Sequence, residues 1–288
     1  MIGEYYIWRK MKNSSIFQVE DMLCDLEDDY VFACGRFLSR DPSKDTVWTL
    51  NGKRGELSAL IINSRSTVIP VFYGRNEIPK PKFLGSSSVL KKIHSVQGLR
   101  NEVELLEAEL NQFGRNISEI FDYDLMNMDT LPANAQDSKV PGLLLRVPRM
   151  SDLDELAPLQ TAYEQEEVLH KGSVFSPAAS RINLGKIIAD RKILAAEING
   201  RLIGKININA VSFTRYMIGG VYVHPDFRGL GIARRMASQF ITSLMNEGEE
   251  RPRGITLFVK KSNLAARRLY LGLGFKIRGD YRITYYSS

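Results

Sequence analysis

The chain has 288 residues, of which 44% are hydrophobic and 25% charged, and it carries a formal net charge of +6. These values fit a globular protein long enough for two domains, each with its own core. No apolar run approaches membrane-spanning length, and the N-terminus lacks the apolar centre of a signal peptide, so we predict a cytoplasmic protein without membrane partners. Cys24, Cys34 and the three histidines show no ligand spacing, so we expect no protein-bound metal.

The first half predicts a helix, several strands, a second helix and a last strand. Apolar residues at helical spacing predict the second helix, over residues 99–113. The first helix is predicted to run from Ser14 or Ser15 to about Leu26. Strands are predicted over residues 47–50, 56–63, 67–73 and 116–126.

Residues 129–142 are poor in apolar side chains and rich in turn formers, which is typical of a linker. We therefore predict two domains, residues 1–138 and residues 139–288.

The second half predicts a strand, two helical segments and then a run of strands and helices. Ser151 is predicted to cap a helix that begins at Asp152, and Pro177 to open a helix that runs to Ile188. Asn199-Gly200 predicts a hairpin between strands 193–198 and 201–211. The remaining predicted elements are a strand at 216–223, a helix from about 232 to 248, a strand at 255–259, a helix at 264–271, and strands at 275–277 and 281–286.

The junction of strand 216–223 with the following helix carries the clearest signal. Pro225 ends the strand, and Gly229 and Gly231 follow it. Ile232, Met236 and later apolar residues then recur at helical spacing. The first N–H groups of a helix lack partners and carry partial positive charge, and glycine allows close approach, so this turn suits a phosphate.

Two motifs resemble the GNAT superfamily of N-acyltransferases. Arg228-x-x-Gly231-x-Ala233 resembles the acyl-CoA pyrophosphate loop, and Asn263-x-x-Ala266-x-x-x-Tyr270-x-x-x-Gly274-Phe275 resembles the next motif of the family. The resemblance covers roughly residues 143–286. The alternatives are an ordinary tight turn with Tyr270 as a core aromatic, or a dinucleotide-binding loop; Arg234 stands where that loop needs its third glycine.

The first half parallels the same fold but lacks the loop, since Gly74-Arg-Asn-Glu-Ile-Pro79 follows the corresponding strand. Gly55-Glu56-Leu57, Ile69-Pro70-Val71 and the Ser95–Gly98 turn resemble a degenerate GNAT-like half. The resemblance implies an α+β protein of the α/β sandwich type, with two GNAT-like domains that each contain a mixed, mostly antiparallel sheet flanked by helices. It also implies that the first domain has lost cofactor binding; the alternative is an unrelated small α+β domain.

The resemblance implies acetyl-CoA as cosubstrate and assigns roles to residues. Backbone N–H groups would hold the pyrophosphate, from Arg228, Gly229, Leu230, Gly231, Ile232, Ala233 and Arg234. Strands 216–223 and 255–259 would splay apart around the pantetheine arm, which would lie along Val221, Tyr222 and Val223. Asn263 would hydrogen-bond this arm, and Tyr270 would protonate the leaving thiolate.

The general base is less clear. Glu166 is our candidate, and Glu167, Glu197, a positioned water or the absence of any base are left open. The implied function is an acyl-CoA-dependent N-acyltransferase that moves acetyl to a primary amine, of a small molecule or a protein, by direct attack. The alternatives are a non-catalytic acyl-CoA-binding module and, third, a nucleic-acid-binding surface, for which we find no motif. Whether the protein forms a homo-oligomer is left open.

Overall fold

The computed structural model describes residues 7–52, 55–73, 81, 92–132, 140–246 and 252–287. The chain forms two compact units, one of Met1–Leu125 with Arg278–Ser288 and one of Met126–Ile277. Each unit combines a mixed, mostly antiparallel sheet with flanking helices, so the predicted α+β class is confirmed.

The first unit contains three of the described helices and most of seven strands. The helices are α1 (Ile16–Asp25), α2 (Glu27–Leu38) and α3 (Arg100–Gln112). The strands are β1 (Ile7–Lys10), β2 (Thr46–Asn51), β3 (Leu57–Ser64), β4 (Thr67–Val71), β5 (Ser95–Leu99), β6 (Ile117–Met128) and the end of the chain, β12 (Lys276–Tyr286). They follow the order β1-β2-β3-β4-β5-β12-β6.

The predicted strands 56–63 and 67–73 form a hairpin, which the turn formers Asn63-Ser64-Arg65 between them favour. Arg65 and Ser66 connect β3 to β4 with positive φ values of 50° and 67°, the conformation of the tight turns that match the twist of two paired strands. Helix α3 buries Val103, Leu106 and Leu110 in the core of this unit, as its spacing predicts. We predict that the first half lacks the phosphate loop, and the segment in which that loop would stand, residues 74–79, lies outside the described residues.

The domain boundary differs from the predicted one. The units divide within β6, after Leu125 rather than at residue 138, and the last strand belongs to the first unit. The sequence predicts two strands of the second domain at residues 275–277 and 281–286. The structure has one strand there, β12, which begins after Phe275. The physical reason is pairing, because Tyr281–Tyr285 of β12 bond antiparallel to Leu99–Ser95 of β5.

The second unit holds the predicted loop. Its strands are β7 (Leu143–Arg146), β8 (Ile193–Ile198), β9 (Arg201–Val211), β10 (Arg215–Val223) and β11 (Gly254–Lys260), in the order β7-β8-β9-β10-β11, with the last residues of β6 beside β11. Its helices are α4 (Leu153–Tyr163), the π-helical turn Glu164–Val168, α5 (Pro177–Ala189), α6 (Ile232–Asn246) and α7 (Leu264–Leu273).

The local signals for the second unit are correct at most element ends. Strands β8 and β9 have the predicted bounds, and Ser176 accepts a hydrogen bond from the N–H of Ala179 at the start of α5. The predicted cap at Ser151 is wrong. A 3₁₀ turn precedes α4, and the Asp152 carboxylate accepts a hydrogen bond from the N–H of Arg149 at 2.6 Å. The same carboxylate forms an ion pair with Arg146, and this pair favours Asp152 over a serine as the residue that caps the turn.

Both faces of this sheet are covered. Along β8, Leu194 and Ala196 lie in the apolar cluster that includes α6, whereas Ile193 and Ala195 lie in the cluster of α4 and α5. Side chains of a strand alternate between faces, so the strand is buried on both sides. The sheet is therefore a rigid support for the loop at the end of β10.

Candidate active site

The Gly-rich turn lies between β10 and α6, as the sequence predicts. A 3₁₀ turn, Pro225–Phe227, follows β10, and then Gly229 and Gly231 adopt φ values of 79° and 77°. These left-handed conformations favour glycine. The first helical hydrogen bond of α6 runs from the N–H of Arg235 to the carbonyl of Gly231, at 3.1 Å. The preceding N–H groups thus have no acceptor within the helix, which is the arrangement that binds anions.

Strands β10 and β11 separate beside this turn. They pair in parallel only from Arg215–Gly254 to Met217–Thr256. Beyond Met217, β10 continues along β9 with an irregularity between Gly219 and Tyr222. The separation matches the splay of these two strands that the family resemblance implies, and it begins before Val221 along β10.

The irregularity in β10 is a bulge that requires glycine. Gly220 has a φ of 59°, and a Cβ on this residue would lie 1.9 Å from Oδ1 of Asn207. Val221 lies within the bulge and has no paired residue on β9. A bulge of this kind re-aims backbone N–H and C=O groups away from the ladder.

The loop residues divide by environment. Gly229, Leu230 and Gly231 are exposed, Ile232 is buried in the core cluster, and Ala233 packs against it. The Arg234 guanidinium does not stand free at the loop, because its Nη2 donates to the carbonyl of Gly272 at 2.7 Å. The contact predicted for Arg234 is made by its backbone N–H and stays a prediction, while its side chain joins α6 to α7.

Arg228 and Glu166 form a network around Tyr222. Nη2 of Arg228 lies 2.9 Å from Oε2 of Glu166, and its Nε donates to the carbonyl of Val223 at 2.9 Å. The Tyr222 hydroxyl donates to Glu166 at 3.0 Å, and its ring lies 5.1 Å from the guanidinium carbon. Burial and then the Glu166 carboxylate raise the pKa of Tyr222. The structure thus brings three predicted residues together from the π-helical turn, β10 and the loop.

Asn263 begins helix α7. Its Oδ1 accepts from the N–H of Ala266 at 3.0 Å, so it is the N-cap, and its Nδ2 donates to Oε1 of Glu167 at 3.0 Å. Lys260 lies 3.6 Å from the other oxygen of Glu167. Glu167 is therefore tied to the start of α7, which counts against its use as a general base.

Tyr270 is a core residue of the second unit. It is 7% exposed, and its ring meets Phe275 edge-on at 5.6 Å. Burial raises the pKa of its hydroxyl above the ordinary value, with smaller effects from Tyr163 and Glu167. The phenol therefore stays protonated at neutral pH and can act only as a donor.

Glu197 and His224 have structural partners. Glu197 accepts from Nε of Arg146 at 2.6 Å, within an ion-pair network that includes Asp152. The ring of His224 accepts from the N–H of Asp226 at the start of the 3₁₀ turn. The ion pair of Glu197 with Arg146 therefore counts against Glu197 as the general base.

The sequence analysis missed Lys205, Asn207 and Tyr163. Lys205 is fully buried in β9, and its Nζ donates to the carbonyl of Gly220 and to Oδ1 of Asn207. Burial raises the pKa of Tyr163 to about 12, partly offset by a hydrogen bond from the N–H of Gly220. A signal existed, because Lys205, Asn207 and Asn209 are polar residues at every second position of a strand, and so lie on one face of it.

Across the ranges that the structure describes, no group of His, Cys, Asp and Glu side chains could hold a metal ion. None of the described helices combines the length and apolarity needed to cross a membrane.

Comparison with known proteins shows what the second unit and the fold are similar to. Residues 157–275 match the model of the Acetyltransferase (GNAT) family. No curated protein matches the chain. Among solved structures, a GCN5-related N-acetyltransferase from Sphaerobacter thermophilus is 18% identical, with 97% of this chain and 94% of that chain covered and a TM-score of 0.61.

Two further structures extend the likeness over nearly the whole chain. A tandem GNAT protein from the clavulanic acid biosynthesis pathway is 13% identical, covers 98% and 99% of the two chains and has a TM-score of 0.59. A GNAT-family acetyltransferase from Colwellia psychrerythraea is 12% identical, with 98% and 100% covered and a TM-score of 0.57. At these identities the likeness shows a shared fold.

Proposed function

Because the second half of the chain carries a GNAT-family domain, we propose that the protein is an N-acetyltransferase that moves acetyl from acetyl-CoA to a primary amine. The observation that carries the proposal is the pair of positive-φ glycines at the start of α6, beside the point where β10 leaves β11. Helix N–H groups suit a diphosphate, and the part of β10 that no longer pairs with β11 suits an extended arm. Gly229, Leu230 and Gly231 are exposed, as access to a ligand requires.

The reaction needs an oriented thioester and two proton movements. The amine nitrogen attacks the thioester carbon, the C–S bond breaks, and the amine loses a proton while the thiolate gains one. Tyr270 is our candidate donor to the thiolate, because a phenol holds its proton at neutral pH and the family resemblance gives it this role. Burial raises the pKa of its hydroxyl and so makes it a weaker acid, which counts against the transfer. The acceptor amine belongs either to a small molecule or to a protein.

Glu166 is our candidate base, and its contacts set a condition. The carboxylate lies within 3.2 Å of Nη2 of Arg228 through both oxygens. A guanidinium stabilises the ionised form of a carboxylate and so weakens it as a base. We therefore propose that Arg228 turns away from Glu166 when the site binds its substrates, which both side chains allow because each is about half exposed.

The test is thermal unfolding with and without acetyl-CoA. A ligand that binds only the folded state stabilises it by about 2.7 kcal/mol at a hundredfold excess over its dissociation constant. We expect a shift for the native chain and none for Gly231→Val. Gly200→Val is the matched control, since Gly200 has a similar φ of 79° at the β8–β9 turn, and this variant must keep the shift. No shift at millimolar acetyl-CoA would refute the proposal.

A non-catalytic acyl-CoA-binding module is the second candidate. It is favoured by two observations: Tyr270 belongs to the apolar core, and Arg228 engages Glu166. Release of CoA with a panel of amines separates the two functions. Stabilisation by acetyl-CoA without CoA release from any amine supports the module, whereas turnover that Glu166→Gln reduces supports the enzyme.

A further inference from the structure

A buried polar cluster lies against the bulge of β10. Lys205 has no exposed surface, and its Nζ donates to the carbonyl of Gly220 at 2.8 Å and to Oδ1 of Asn207 at 3.0 Å. Nδ2 of Asn207 in turn donates to Oδ1 of Asn209 at 2.8 Å. These contacts join the middle of β9 to the bulge, which none of the predicted side-chain roles involves.

An amine in this position is costly to keep. Desolvation disfavours an ammonium, and burial lowers the pKa of Lys205 to about 7. The groups that face it are the Tyr163 ring, whose centroid lies 4.8 Å from Nζ, and Glu164, which acts through its charge. Among the described residues no carboxylate forms an ion pair with Nζ of Lys205, and an aliphatic side chain would fill the same space in the core. The hydrogen bond to the carbonyl of Gly220 is therefore the contact for which an amine is needed here.

The geometry of the peptide unit supplies that reason. The carbonyl of Gly220 and the N–H of Val221 belong to one planar trans peptide, so they point in opposite directions. A hydrogen bond that fixes the carbonyl toward Lys205 therefore fixes the N–H of Val221 away from it. The N–H of Gly220 bonds to the Tyr163 hydroxyl, which holds the same residue from its other side.

We propose that Lys205 is a positioning residue that locks the Gly220–Val221 peptide so that the N–H of Val221 is presented to the acyl carbonyl. The inference rests on the proposed acetyltransferase function. It assigns the lysine no contact with substrate. An N–H fixed in advance stabilises a developing oxyanion better than one that must reorient.

The first experiment is steady-state kinetics of Lys205→Met, which keeps the volume of the side chain and removes the donor. We expect kcat to fall at least about tenfold, while KM for acetyl-CoA and the dissociation constant for CoA change less than about twofold. The pyrophosphate loop does not contact Lys205, so cofactor binding stays measurable by thermal shift. Lys186→Met, on the exposed face of α5, is the matched control and must keep kcat.

An unchanged kcat in folded Lys205→Met overturns the proposal. A fall in kcat that is matched by a loss of CoA binding also overturns it, because that pattern means general disruption of the site. If the native chain binds acetyl-CoA but shows no turnover with any amine, the proposed enzyme fails separately, and a second measurement decides the role of Lys205.

That measurement needs no acceptor and no folded Met variant. The backbone amide signal of Gly220 is followed by NMR against pH in the full chain. We expect a titration with a midpoint near 7, the pKa of Lys205. It must persist in His224→Asn, which removes the histidine four residues along the chain. A Gly220 signal that does not move, or that moves only with His224 present, overturns the link between the lysine and the bulge.

Discussion

Replacing Lys205 by methionine should change how the free energy of unfolding depends on pH. Burial lowers the pKa of this lysine from 10.5 to about 7 in the folded chain. Between these two values the unfolded chain binds more protons than the folded chain, so the stability of the native protein rises with pH. The slope from one such group is at most about 1.4 kcal/mol per pH unit.

The assay is urea unfolding of the native chain and of Lys205→Met at about pH 7.5 and about pH 9.5. Other titrating groups contribute equally to both proteins and cancel in the difference. We expect the native chain to gain about 2.5 kcal/mol relative to the variant over this interval, about half of the stability change that the two pKa values imply. The constant offset between them is not the test, because methionine both removes the desolvation cost and leaves the Gly220 carbonyl without its donor.

A stability difference that stays constant with pH would refute the reasoning. It would mean that the amine titrates alike in the folded and unfolded chains, and hence that water reaches Nζ. The Lys186→Met variant fixes the baseline, since that side chain is exposed and its charge is hydrated in both states.

Three further predictions concern other residues. Tyr270→Phe should lower kcat while acetyl-CoA still stabilises the protein, because the ring and its packing on Phe275 are retained; unchanged turnover would remove Tyr270 as the proton donor. Asn263→Ala should cost about 1 kcal/mol in urea unfolding through loss of the α7 cap, whereas Asn263→Ser, which keeps a capping oxygen and adds no charge beside Glu167, should keep most of the stability. Glu102→Leu should destabilise the first unit by about 2–4 kcal/mol, because the buried carboxylate accepts from the N–H of Phe72 and from the Tyr30 hydroxyl; a loss below about 0.5 kcal/mol would contradict this.

Local signals in the sequence were enough for most elements of the second unit. The β8–β9 hairpin has its predicted bounds because Asn199 and Gly200 adopt the positive φ values that a two-residue turn demands. The start of α5 follows in the same way from Pro177 and Ser176. Such features depend on neighbours in the chain, which the sequence contains directly.

Strand partners and domain limits depend on distant residues and were predicted less well. Nothing in the alternation of residues 275–286 shows that this strand pairs with β5, about 180 residues earlier. Likewise, nothing in the sequence of β6 shows that the domain limit falls within this strand, so that its last residues, Met126 and Met128, are buried in the core of the second unit. Helix α2 was also missed, since its start is acidic and its buried side chains include Glu27 and Tyr30.

The candidate site shows the same division between local and distant causes. The proposed cofactor contacts are backbone N–H groups, so the sequence reveals them only through the glycines that let the chain adopt the required φ values, Gly229 and Gly231. The side chains that hold this backbone in place come from neighbouring elements. The low pKa of Lys205 comes from its complete burial, and its hydrogen bond comes from the bulge at Gly220. Neither feature exists until β9 and β10 have paired. A site built from backbone groups is therefore visible in the sequence at its turns, whereas its supports become visible only in the fold.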